Sequence, residues 1–153
     1  MRHLRSGSNW SDKAPHIEDF IVLTKIILWL SALALGLYGV ACFFDAGLAS
    51  GYAGFELLND DARAEMIAMY GGVQIAIGVS CAIAIFNSQH QRSAVLLVAL
   101  LFGGLALGRL FGLIQGSDTA GSYTYGALAY ETFSFVLAVA ALRSQKKVGA
   151  GSS

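Results

Sequence analysis

Charge is what this sequence has least of. Only 13% of its 153 residues are Asp, Glu, Lys or Arg, about half of the roughly 25% of an ordinary globular chain. The ten basic side chains cancel the ten acidic ones, which removes the electrostatic reason to expect a nucleic-acid partner or an acidic substrate. Cysteine is scarce as well. Cys42 and Cys81 both lie in apolar runs without CxxC spacing, so neither a disulfide scaffold nor a thiol redox centre is indicated. Histidine is missing from the apolar runs, because His3, His16 and His90 all fall outside them. A bundle-bound haem therefore has no axial histidine and a metal cluster no histidine ligand, so no cofactor and no metal is expected. No GxxxxGK[ST] loop is present, which sets nucleotide binding aside.

What the sequence has in excess is apolar residues, at 56%, a figure that excludes intrinsic disorder and points to an integral membrane protein. A helix crossing a hydrocarbon core of ~30 Å needs about 20 mainly apolar residues. Four such runs are present: Phe20 to Phe44, Met66 to Phe86, Ala94 to Ile114 and Thr124 to Leu142. None alternates polar with apolar as a barrel strand does. The expected fold is all-α, an integral membrane four-helix bundle running up-down-up-down. Residues 1–19 are expected as an N-terminal segment and 143–153 as a basic tail, with Gly149 to Ser153 disordered. Asn59, Asp60 and Asp61 supply capping and acidic groups where the second helix begins.

Orientation follows from the positive residues that flank the spans. Arg2, Arg5, Lys13, Arg92, Arg143, Lys146 and Lys147 lie on one side and Arg63 on the other, which places both termini in the cytoplasm. The expected location is the bacterial inner membrane. The opposite face is acidic and carries Tyr52, Tyr70, Tyr123 and Tyr125 at the level of an aromatic belt. A cleaved signal peptide is not expected, since the first run is too long for one. Lys25, one turn inside the first run, is read as snorkelling to the interface.

Charges inside spans cost about 2.5–3.5 kcal/mol at the bilayer centre even on lenient scales, so Arg109 and Glu131 are the most informative residues. At 1.5 Å per residue Arg109 lies about 7.5 Å and Glu131 about 10.5 Å below the same surface, with Gln74 at about 12 Å. Three helices thus send one polar group each to one layer. The structural reading is mutual neutralisation, with Gln74 satisfying leftover hydrogen bonds. The functional reading is a small-molecule, ion or proton site opening outward. The candidate ligand-binding residues are Arg109, Glu131, Gln74, Tyr70 and Tyr130. No catalytic residue is assigned. Ser134, one turn after Glu131, is the sole candidate nucleophile, so the chain leans non-enzymatic.

Gly104, Gly108 and Gly112 form a GxxxGxxxG stripe, a signal for close helix approach. Gly72, Ala76 and Ser80 repeat the spacing in the second run, and Ala32 and Gly36 in the first. Packing within the fold is favoured over homodimerisation, since each helix of the bundle must already bury one face. The Gly71-Gly72 pair is likewise read as a packing feature. The expected partners are the bilayer, with other membrane proteins or a second copy of the chain as open alternatives.

Arg63-Ala64, the run Met69-Tyr70-Gly71-Gly72-Val73-Gln74 with Gly78, then Gly108-Arg109 with Gly112, and Tyr130-Glu131 together resemble a small bacterial four-helix membrane family known only as a domain of unknown function, number 4345. The resemblance covers most of residues 20–142. It implies a four-span helical protein in which these motifs are characteristic, and it implies no activity. The chain is also similar in size and layout to the DoxX-like membrane proteins, some of which are described as quinone-linked or redox-associated subunits, a likeness of architecture. Three function classes follow: a non-enzymatic membrane protein binding a small ligand or partner, a proton-coupled transporter using Glu131, and a quinone-associated or accessory subunit of a redox complex.

Overall fold

The computed structural model describes the backbone of residues 14–116 and 120–150, with side chains described over 21–116 and 120–144. Residues 1–13 of the expected N-terminal segment and 151–153 of the expected disordered tail lie outside this range. Every regular element among the described residues is helical. The first helix runs Ala14–Phe44, the second Asp60–Phe86, the third Ser88–Gln115 and the fourth Ser122–Ala150. All four are long and apolar enough to cross a membrane, and the protein is a multi-pass membrane protein.

The boundaries depart from the apolar counts in one direction. Helices extend past the hydrocarbon-length runs, because polar residues at a membrane surface sustain a helix as readily as apolar ones. The fourth continues to Ala150, so Gly149 and Ala150 are helical rather than disordered. The expected loop at 87–93 contracts to Asn87, whose side chain caps the third helix by accepting from Gln89 N at 3.1 Å. The long connection at 45–65 holds a short helix, Ala46–Ala53, started by Asp45 accepting from Gly47 N and ended by Gly54 in the left-handed region. Asn59 caps the second helix by accepting from Ala62 N at 2.8 Å, with Asp60 and Asp61 in its first turn, where they complement the helix dipole.

Inward faces recur at helical spacing. Thr24, Ile27, Leu28, Ser31, Leu35 and Cys42 are buried on the first helix, Val95, Val98 and Phe102 on the third, and Glu131, Ser134, Ala138 and Ala141 on the fourth. The first helix packs most extensively on the second, and the third on the fourth. The main core lies toward the Asn87 end, around Leu28, Cys81, Ala84, Val95, Val98 and Ala141. A smaller cluster of Cys42, Ala46, Ala49 and Met66 lies at the opposite end, beneath the short helix.

Glycine decides one interface. A Cβ on Gly78 would stand 2.8 Å from Gly36 N, one on Gly39 2.8 Å from Ile75 N, and one on Gly71 2.9 Å from Phe43 Cα. Each is closer than an atom fits, so backbones of the first two helices touch there only because these side chains are absent. The stripe at Gly104, Gly108 and Gly112 is a correction. These three are exposed, and a Cβ on any of them would meet nothing within 4 Å. The reason is angular: Gly104 follows the buried Phe102 by two residues, about 200° around the helix. Gly103, one residue earlier, is the glycine that meets a neighbour, since a Cβ there would stand 2.9 Å from the Phe135 ring. On the second helix the close approach likewise falls on Gly71 and Gly78, while a Cβ on Gly72 would find its nearest atom at 4.0 Å.

Candidate functional site

At the tyrosine-lined end, away from Asn87, the four helices leave a cavity of about 440 Å³. The first helix contributes Leu35 and Tyr38, continuing the inward stripe that carries Ser31 and Cys42. The third contributes Leu101, Phe102, Leu105 and Arg109, and Arg109 falls seven residues after Phe102, on the same face. The fourth supplies Tyr123, Ala127, Tyr130 and Glu131. The second supplies Met69, Tyr70, Val73 and Gln74 across a π-helical turn, Ile67–Gly72. Such wide turns interrupt the regular ladder and occur often at functional sites. Here the turn presses Gly71 against Phe43 while its neighbour Tyr70 lines the cavity.

Arg109 and Glu131 meet. Arg109 Nη2 donates to Glu131 Oε1 at 2.7 Å, and Nε donates to Oε1 at 3.2 Å and to Oε2 at 3.0 Å. This is a forked, charge-assisted pair of the kind a guanidinium makes with a carboxylate. Glu131 is 4% exposed, whereas the Arg109 side chain is 25% exposed. The guanidinium carbon also lies 5.8 Å from the centroid of the Tyr123 ring, within cation–π range. Tyr123 in turn stacks on Tyr52 of the short helix, with centroids 6.3 Å apart and planes 15° apart. Phe102 meets Tyr130 edge to face at 5.4 Å.

Chemically the pair leaves an asymmetry. Both carboxylate oxygens are engaged by Arg109, yet Arg109 Nη1 donates to no acceptor among the described residues. Ser134 is buried one turn beyond Glu131 and donates no hydrogen bond to it, which leaves the sole candidate nucleophile without an activating base. Among the described residues no three His, Cys, Asp or Glu side chains gather as metal ligands.

The family described as Domain of unknown function (DUF4345) matches residues 23–142. The chain belongs to this family. The match reaches into all four helices and takes in every residue lining the cavity. No curated protein and no solved structure matches the chain.

The five ligand-binding candidates from the sequence, Tyr70, Gln74, Arg109, Tyr130 and Glu131, all lie on the cavity wall. Tyr38 is a lining residue that the sequence reading misses, although it continues the stripe of Ser31 and Leu35 at helical spacing. Tyr123 reads as part of the interfacial belt, and its spacing of four to Ala127 and eight to Glu131 is the signal that it turns inward. Phe102 escapes notice for the same reason as any core aromatic: its chemistry alone does not distinguish a wall from a core.

Proposed function

We propose that this protein is a non-enzymatic, multi-pass component of the bacterial inner membrane that holds a small ligand in the cavity of its tyrosine-lined half. One observation carries this reading: the two intramembrane charges are paired, yet the arginine keeps unused donor capacity on the wall of a hollow whose volume falls in the roughly 300–1,000 Å³ range of small-molecule sites. A purely structural ion pair gains nothing from such a space, since an unfilled hollow forfeits packing. The seven-to-one excess of flanking Lys and Arg supports termini in the cytoplasm and a cavity in the outer half.

Proton-coupled transport through Glu131 is less well supported, because cation binding there requires the carboxylate to give up its three hydrogen bonds from Arg109. The test is native mass spectrometry of protein released directly from its membrane. A small-molecule adduct is expected on the parent and is expected to vanish when Ala34→Trp, on the first-helix wall beside Leu35, fills the cavity. A parent that carries no adduct under conditions that retain lipids contradicts the reading.

A further inference from the structure

Resting on that ligand-binding reading, we propose that the cavity takes a neutral, lipid-soluble molecule bearing a carbonyl group on an apolar body, received sideways from the bilayer between the second and third helices. Charge is the first argument. The forked pair of Arg109 and Glu131 is already neutral, so an anion has to compete with a buried carboxylate for the guanidinium, and a cation has to displace the guanidinium from the carboxylate. Either exchange leaves one charge uncompensated in a low-dielectric site, which is costly. A carbonyl oxygen asks only for an N–H donor, and Arg109 Nη1 offers one without disturbing the pair.

The walls give the second argument. Apart from the polar layer, the ligand faces side chains such as Leu35, Leu101 and Leu105 together with aromatic rings, a surface suited to an apolar body rather than a sugar or a nucleotide.

The route gives the third. Beside Arg109 the Tyr123 ring lines the cavity and is backed by its stacked partner Tyr52 of the short helix. On its flank the lining residues Met69 and Val73 of the second helix and Leu105 of the third are exposed and apolar. The second and third helices are tied at Asn87, but the π-helical turn at the far end of the second helix packs mainly on the first helix. A crevice walled by apolar side chains at the depth of the spans admits a solute dissolved in lipid more readily than one dissolved in water.

The probe is benzophenone, a neutral ketone that labels nearby C–H bonds on irradiation, added to the full chain in phospholipid nanodiscs, with sites mapped by mass spectrometry. Saturable labelling of Met69 and Leu105 is expected. It is expected to fall by about tenfold or more, at least ~1.4 kcal/mol, in Val73→Trp, which blocks the crevice, and in the Arg109→Leu, Glu131→Leu double variant, which removes the donor. Leu105→Trp, read at Met69, blocks the crevice from the facing helix and replaces Val73→Trp if that chain fails to fold. Excess decanoate or tetraphenylphosphonium is expected to leave labelling unchanged. Protection by either ion overturns the neutral class while preserving a ligand site. Saturable labelling untouched by the blocking variants overturns the route. Labelling that never saturates, from a protein that still carries its native adduct, overturns the proposed chemistry alone; without that adduct, the ligand-binding reading falls with it.

Discussion

The two halves of this bundle use the same four helices to opposite ends. Toward Asn87, Leu28, Cys81, Ala84, Val95, Val98, Ala138 and Ala141 are fully buried and interlock small against large. Toward the tyrosines the same inward stripes carry Tyr38, Gln74, Arg109 and Glu131 around a hollow of about 440 Å³. A bilayer offers no hydrophobic drive to hold helices together, since lipid is as apolar as leucine. The closed half supplies close side-chain packing, while in the open half the first two helices still touch through Gly39 and Gly71 and the charges of the other two satisfy each other. The contrast teaches that the filled core and the hollow are separated along the helix axes, with the glycine contacts of the first two helices running into the open half.

The sharpest way to break that contrast is to extend the hollow into the closed half at the boundary between them. Phe102, 2% exposed at the boundary of the two halves, is expected to cost about 3–5 kcal/mol as Phe102→Ala. Leu105→Ala, one turn on and 43% exposed, is expected to cost under about 1 kcal/mol, both measured by reversible unfolding in mixed micelles. Gly78→Val tests the backbone contact with Gly36 and is expected to cost about 1–3 kcal/mol through overpacking. The measure is the same unfolding curve, and a neutral result there means that the first two helices are less closely held than 2.8 Å implies. Tyr52→Ala removes the stack over Tyr123, with an expected loss of about 0.5–1.5 kcal/mol, and hydrogen exchange in the short helix should rise while the Asn87 end stays protected. The smallest effect is expected from Gly104→Ala, Gly108→Ala and Gly112→Ala together, within about 0.5 kcal/mol, as befits exposed positions. A larger loss, accompanied by a change in oligomer mass, shows that the stripe meets a second copy.

Much of this arrangement is legible in the sequence. Spans of membrane length, and charges too costly to leave unpaired, place Arg109 and Glu131 at matching depth with Gln74 beside them. The depth arithmetic works because a helix rises uniformly, so residue counts convert to height. What it does not convert to is azimuth across a π-helical turn. The small-residue stripes mislead for two reasons: Gly72 lies on the π-helical turn, and Gly104, on a regular α-helix, stands about 200° from the buried Phe102, while Gly39, Gly71, Gly78 and Gly103 make the close approaches. Counting i, i+3, i+4 and i+7 from the buried stripes turns Tyr38 and Tyr123 inward too. The hollow itself is not legible, because periodicity marks which side chains face inward and says nothing of whether they fill the space between them.

The most direct test is a double-mutant cycle on the pair that closes the open half electrostatically. Arg109→Leu and Glu131→Leu are each expected to lose about 3–5 kcal/mol of unfolding free energy, since each leaves a partly buried charge alone. The combined variant is expected to stand within about 1 kcal/mol of the parent, and to have lost the native adduct despite its recovered stability. Losses that simply add, or a stable double variant that keeps its adduct, contradict a neutral Arg109–Glu131 pair at the heart of a ligand site.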